Sequence, residues 1–157
     1  MSKIIKLILL VVVIALGWWV YNNMSTPMAS SEPKVIGALY LRQHLDAYGG
    51  LKEGMKKLGY GRNDVVFDEV EIIPGPNFYQ DVENGVKKLL ADKVDVLWVS
   101  MEHQAEKALE LTRKDGSNLP IVFLTRFHDP LAYSLINSYK SSGNNATGVA
   151  TNLFEII

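Results

Sequence analysis

A chain of 157 residues has room for one domain, and 48% apolar residues suffice for a core. The formal net charge of −1 gives no general positive field, so nucleic acid is not an expected partner. With no cysteine, disulfides, thiolate metal sites, thiol catalysis and a lipid-bearing N-terminal cysteine are excluded together.

The chain opens on MSKIIKLILLVVVIALGWWVYNN, in which Lys3 and Lys6 precede an unbroken apolar run from Leu7 to Tyr21. Ile4 to Tyr21 as a helix rises about 27 Å, near the thickness of a bilayer's hydrocarbon core. Trp18, Trp19 and Tyr21 stand where an interfacial aromatic belt stands, and no further Lys or Arg follows until Lys34. Residues 1–24 therefore read as a transmembrane signal anchor or a cleaved signal peptide. Either one leaves the N-terminus in the cytoplasm and residues from Lys34 outside it. The small residues that a cleavage site needs are absent directly after the run; the nearest are Ala29, Ser30 and Ser31. Residues 25–33 read as a linker.

From Lys34 onward, strand and helix patterns alternate. KVIGALYL, bounded by Pro33, is a buried strand. Tyr48, Leu51, Met55 and Leu58 then share one helical face that ends near Gly59 and Gly61. DVVFDEVEII is a second strand, stopped by PGP. Asn77 and Gln80 have capping-box spacing, and Val82, Val86, Leu89 and Leu90 form the apolar stripe of a second helix. VDVLWVS is a third strand, and Ala105, Ala108, Leu109 and Thr112 mark a third helix. LPIVFLT is a fourth strand. Asp129-Pro130 reads as an N-cap with proline at the first helical position, and TGVAT as a fifth strand. Near-continuous apolar strands joined by long crossovers predict an α/β fold with a doubly wound parallel sheet, Rossmann-like in layout.

In such sheets ligands bind at the carboxyl ends of the strands. Three segments meet there: LRQHLDAYGG, SMEHQAE and TRFHDP. Their polar residues Arg42, Asp46, Ser100, Glu102, His103, Gln104, Thr125, Arg126 and Asp129 are the candidate ligand contacts. Arg126 follows an apolar strand, and its guanidinium fork suits a carboxylate. Ser100 reads as a helix cap rather than a nucleophile. Asp129 reads first as a cap and second as a partner for a ligand amine. Tyr40 and Tyr48 could stack on a ligand, although Tyr48 fits the helix stripe better. His44, His103 and His128 fall in the three segments without an HExxH spacing, so neither a metal site nor catalysis is expected. No GxGxxG, Walker A or GxSxG sequence is present, which leaves no expected cofactor and no expected enzyme activity. Asn145-Ala146-Thr147 matches a glycosylation sequon and is read as a chance match.

The segment from Lys34 to Asn152 resembles the ABC transporter substrate-binding proteins of the tryptophan/tyrosine-binding type. VIGALYL with LDAYGGLKEGMKKLGY, then VENGVKKLLADKVDVLWV, LPIVFLTRFHDPLAYSLI and SSGNNATGVAT, carry the resemblance in order. Two departures stand out. No lipid-bearing cysteine follows the leader, and SMEHQ puts Glu102 and His103 where the family has small residues.

The resemblance implies the type I periplasmic-binding-protein fold. It further implies that residues 34–157 are the truncated N-terminal lobe of a two-lobed protein. The apolar ending LFEII would then begin a helix that continues toward a hinge and second lobe. The implied function is the extracytoplasmic solute-binding component of an ABC transporter. It would take a small, amino acid-like molecule into an interlobe cleft and present it to an ABC permease in the membrane. The alternative is a membrane-anchored, extracytoplasmic ligand-sensing domain of a signalling receptor.

Overall fold

The computed structural model describes residues 18–19, 32–126 and 128–151. The chain divides into two units, 1–32 and 33–157. In the first, Trp18 and Trp19 are helical and exposed. The remainder of the anchor or signal segment, the linker up to residue 31 and the LFEII ending lie outside the described residues. No helix among the described residues is long and apolar enough to cross a membrane.

The second unit carries five parallel strands in the order β2-β1-β3-β4-β5. These are β1 (Lys34–Leu41), β2 (Val65–Ile72), β3 (Val96–Val99), β4 (Ile121–Thr125) and β5 (Ala146–Ala150). Three helices alternate with them: α1 (Leu45–Lys57), α2 (Phe78–Ala91) and α3 (Glu102–Asp115). A single 3-10 turn, Arg42–His44, joins β1 to α1.

The period of two along β1 sends its side chains to opposite faces of the sheet. Ile36, Ala38 and Tyr40 meet Tyr48 of α1 and Trp98 of β3 on one face. Leu39 and Leu41 meet Val82, Val86 and Leu89 of α2 and Ala105, Ala108 and Leu109 of α3 on the other. Helices therefore cover both faces, as the near-continuous apolar strands require. The α1 layer is aromatic: Tyr40 stacks on Tyr48 at 4.5 Å between ring centroids, with Trp98 5.9 Å from Tyr48. On the other face, α3 stops where Gly116 turns left-handed at φ 67°. Ser117 N–H then donates to Thr112 O at 2.9 Å and closes the helix end.

Four local expectations differ from the structure. Leu58 lies beyond the last residue of α1 and is 75% exposed, so only Tyr48, Leu51 and Met55 of that stripe pack inward. Asn77 does precede α2, but its side chain makes no capping bond, and Gln80 donates to Asn84 on the helix surface instead. Ser100 is not the α3 cap either: Met101 holds that position. Finally, no helix forms after Asp129-Pro130. One turn closes with Leu135 N–H on Pro130 O at 2.9 Å, and Ser134 adopts φ 53°, which a helix cannot continue. Leu135 is fully buried, so the chain turns inward there.

β5 approaches β4 so closely that a Cβ on Gly148 would stand 2.1 Å from Phe123 O. Gly148→Ala is expected to loosen the β4–β5 pairing and destabilise the fold by about 1–3 kcal/mol, the range for overpacking. Urea denaturation followed by circular dichroism checks this. An unchanged midpoint would mean that β5 shifts freely along β4.

Candidate functional site

The strand order reverses between β1, which leads through α1 to β2, and β3, which leads away toward β4 and β5. That reversal opens a crevice outside the carboxyl ends of β1 and β3. Leu41 ends β1 there, and Ser100 follows β3.

Ser100 is fully buried and joins three segments. Leu41 N–H donates to Ser100 Oγ at 3.1 Å. His44 Nδ1 lies 3.1 Å from the same Oγ. Gln104, in the first turn of α3, places Oε1 2.9 Å from Ser100 N and 3.2 Å from Ser100 Oγ. The loop after β1 and the start of α3 are thereby fixed to each other through one hydroxyl.

Beside this junction lies an open hollow of about 480 Å³. Gln43, His44, Asp46 and Ala47 line it from the β1–α1 side, and Leu124, Arg126 and Thr151 from the ends of β4 and β5. Its volume falls within the range of small-ligand sites. Thr151 ties its own wall, with its N–H on Thr125 O at 2.9 Å and its hydroxyl on Arg126 O at 3.0 Å. Opposite charges, Asp46 and Arg126, thus face one space. Burial lowers the pKa of His44, and the Arg126 charge lowers it further; the Ser100 contact and Glu102 oppose the shift. A larger hollow, about 620 Å³, runs along α3 against Tyr133 and Ser134, but none of the strand-end residues lines it.

The nine candidate contacts separate into distinct positions. Asp46 and Arg126 line the hollow. Ser100 and Gln104 form the buried junction behind it. Thr125 is buried at the end of β4, and neither its Oγ1 nor Gln104 Nε2 has a hydrogen-bond partner among the described residues. Arg42 is drawn to β2 by an ion pair with Glu71. Glu102 is buried and pairs with His128 Nδ1 at 2.9 Å. His103 packs its ring between Tyr79 and Tyr133, at 5.6 and 5.5 Å. Asp129 Oδ1 accepts from Tyr139 OH at 2.7 Å and from Leu131 N–H at 2.9 Å. Those two bonds hold its pKa below the usual carboxylate range, Tyr139 first. Asp129 thus braces its own loop.

Sequence reasoning did not select Gln43, His44, Ala47, Leu124 or Thr151 as contacts. Leu124 could have been found from alternation along β4, since it follows Val122 on the α1 face. Among the described residues no group of three or more His, Cys, Asp or Glu side chains could hold a metal ion.

The profile of a family described as ABC transporter substrate binding protein matches residues 41–156. No curated protein matches the chain. Among solved structures, the chain is similar to the ABC domain in complex with L-Trp from Streptococcus pneumonia. That match has a TM-score of 0.65 and 22% identity, and covers 77% of this chain and 39% of the other. It is similar also to the ligand-free, open form of a substrate-binding protein with adhesive properties from Clostridium difficile. There the TM-score is 0.64 at 22% identity, over 76% of this chain and 39% of the other. A conserved domain protein from Vibrio cholerae matches with a TM-score of 0.62 and 26% identity, over 76% of this chain and 39% of its own. The chain thus spans about two-fifths of the length of the solved structures it matches, and shares their fold over that span.

Two stability measurements probe the junction. Ser100→Ala removes the hydroxyl that takes Leu41 N–H and touches His44, while the backbone N–H keeps Gln104 Oε1, and is expected to cost about 1–3 kcal/mol. Little or no loss in urea denaturation would mean that the junction rearranges without it. His44 has its folded pKa below its ordinary 6.5, so the unfolded chain takes up the proton first as pH falls. Its contribution to stability is full above pH 6.5 and is lost as pH falls toward the folded pKa. His44→Gln is expected to flatten that part of the stability profile. An unchanged slope would assign the loss to other groups.

Proposed function

Because the chain belongs to the family of ABC transporter substrate-binding proteins, we propose that it binds a small zwitterion of the amino acid class outside the cytoplasm, for delivery to an ABC permease. The observation that carries this reading is that Asp46, from α1, and Arg126, from beyond β4, line one hollow at the carboxyl edge of the sheet. Arg126 would take the carboxylate through its fork, and Asp46 the ammonium. Asp129, the other acid considered for an ammonium, is engaged by Tyr139 and Leu131. The L-Trp in the Streptococcus structure makes an aromatic amino acid the first ligand to try.

In this reading residues 34–157 act as one of two lobes. The matched solved structures are each more than twice as long as the span they share with this chain. A hollow open on one side leaves much of its ligand in water, whereas ligand sites usually bury most of it. Closure of a second wall over the ligand would supply the missing contacts and the closed form that a permease distinguishes. Glu102, His103 and Gln104 stand behind or beside the hollow rather than in it. They would shape ligand choice through Ser100 and the β4 loop. No step of bond chemistry enters this function.

The test is a panel of the twenty amino acids titrated into the full chain and followed by NMR. Binding at about millimolar strength is expected, near 4 kcal/mol. Shifts should concentrate at Gln43 to Ala47, Leu124, Arg126 and Thr151. Arg126→Ala should weaken binding by roughly 1.5–3 kcal/mol, the range for hydrogen bonds to a charged group. Shifts centred elsewhere, or binding indifferent to Arg126, would sink the assignment.

A further inference from the structure

The bonds around Ser100 fix more than the position of a loop. Leu41 N–H can only donate, so Ser100 Oγ accepts there. Ser100 N–H can also only donate; it is shared between Leu39 O at 3.2 Å and the Gln104 atom at 2.9 Å, and an amide NH₂ at that shorter distance would set two donors against each other, so the atom is the amide oxygen. Ser100 Oγ lies 3.2 Å from that oxygen and 3.1 Å from His44 Nδ1, with one hydroxyl proton to give. If the proton goes to His44, the contact between Oγ and Gln104 Oε1 brings two lone-pair atoms together with no hydrogen between them. If it goes to Gln104 Oε1, His44 Nδ1–H donates to Oγ and every close contact holds a proton. Oγ then accepts twice and donates once, its full capacity.

We propose that His44 is a specificity-determining residue of the hollow: Ser100 and Gln104 hold it as the neutral Nδ1–H tautomer, so that it presents a bare Nε2, a hydrogen-bond acceptor, to the ligand space. His44 lines the hollow, and Nε2 is the ring nitrogen turned away from Ser100. The chemistry selected there is an N–H or O–H donor, such as an ammonium shared with Asp46. An anionic group at the same place would meet a lone pair. The charges around the ring are Arg126 from beyond β4, Glu102 from the start of α3, and Asp46 on the same β1–α1 side of the hollow. Burial and Arg126 keep the second proton off the ring, and Glu102 works the other way.

This inference rests on reading the hollow as the ligand site, but its test does not need a ligand. Long-range nitrogen–proton correlation NMR on the uniformly labelled full chain distinguishes a protonated ring nitrogen from a bare one. His44→Gln assigns which of the three histidine rings is His44. The expected result is a protonated Nδ1 and a bare Nε2 around neutral pH. Gln104→Met removes the oxygen that takes the Ser100 proton, frees that proton for His44 Nδ1, and should shift the ring toward the Nε2–H form. A protonated Nε2 in the unmodified chain overturns the inference, whether or not any amino acid binds. So does a folded Gln104→Met protein with an unchanged tautomer. A bare Nε2 in a chain that binds no amino acid counts against the zwitterion reading and leaves the tautomer assignment standing.

Discussion

The crevice of this fold depends on one buried hydroxyl. β1 and β3 are neighbours whose connections run in opposite directions, so their ends separate and leave polar backbone at the sheet's carboxyl edge. Ser100 Oγ fills that gap by taking Leu41 N–H, which would otherwise be a buried donor without an acceptor. Its backbone N–H serves both Leu39 O and Gln104 Oε1, which anchors the start of α3 to the same point. A serine is small enough to be enclosed completely and still offers two lone pairs and a proton. Valine would fill the space and keep the backbone N–H, but would leave Leu41 N–H without its acceptor and His44 without its contact.

Around that point the polar residues divide by what engages them. Arg42 turns to Glu71 on β2, at the far side of β1 from the hollow. Glu102 and His128 join the first turn of α3 to the loop after β4. Asp129 and Tyr139 close that same loop upon itself. These pairs hold walls in place. Asp46, from α1, and Arg126, from beyond β4, both line the hollow. The edge of the sheet thus combines a braced frame with an opening whose charges are complementary to a zwitterion.

Much of this was legible in the sequence, for a physical reason. Strands buried on both faces are written as unbroken apolar runs, and β1 begins and ends where KVIGALYL does. The α3 stripe of Ala105, Ala108, Leu109 and Thr112 is buried throughout, because a helix against a sheet has only one inner face. The failures are local signals without their tertiary partner. Leu58 keeps the period of α1, but the helix ends at Lys57 and Gly59 turns at φ 92°. Asn77 and Gln80 have the spacing of a box, yet Gln80 finds Asn84 on the helix surface. Asp129-Pro130 can start a helix but cannot prevent Ser134 and Leu135 from ending it after one turn. In the site, topology located the three segments but not the division of labour within them. His44 was invisible as a contact because its significance lies in Ser100, 56 residues away. No spacing rule encodes such a pair.

Of the three buried side-chain atoms without a hydrogen-bond partner among the described residues, Tyr48 OH lies in the α1 layer and the other two, Gln104 Nε2 and Thr125 Oγ1, lie at the same edge. Such groups cost about 1–3 kcal/mol each. Glu102 is an acid in the core's margin, at 6% exposure. A sequence selected only for stability would place apolar residues there, as it does one layer below with Leu97, Val99, Ile121 and Phe123. Exceptions of this kind are expected where function constrains the residue. Here they surround Ser100 and the end of β4 and lie against the hollow that holds Arg126. This concentration is a property of the chain's own physics. It points to the carboxyl edge without using the likeness to solved structures, which at 22% identity speaks for the fold alone.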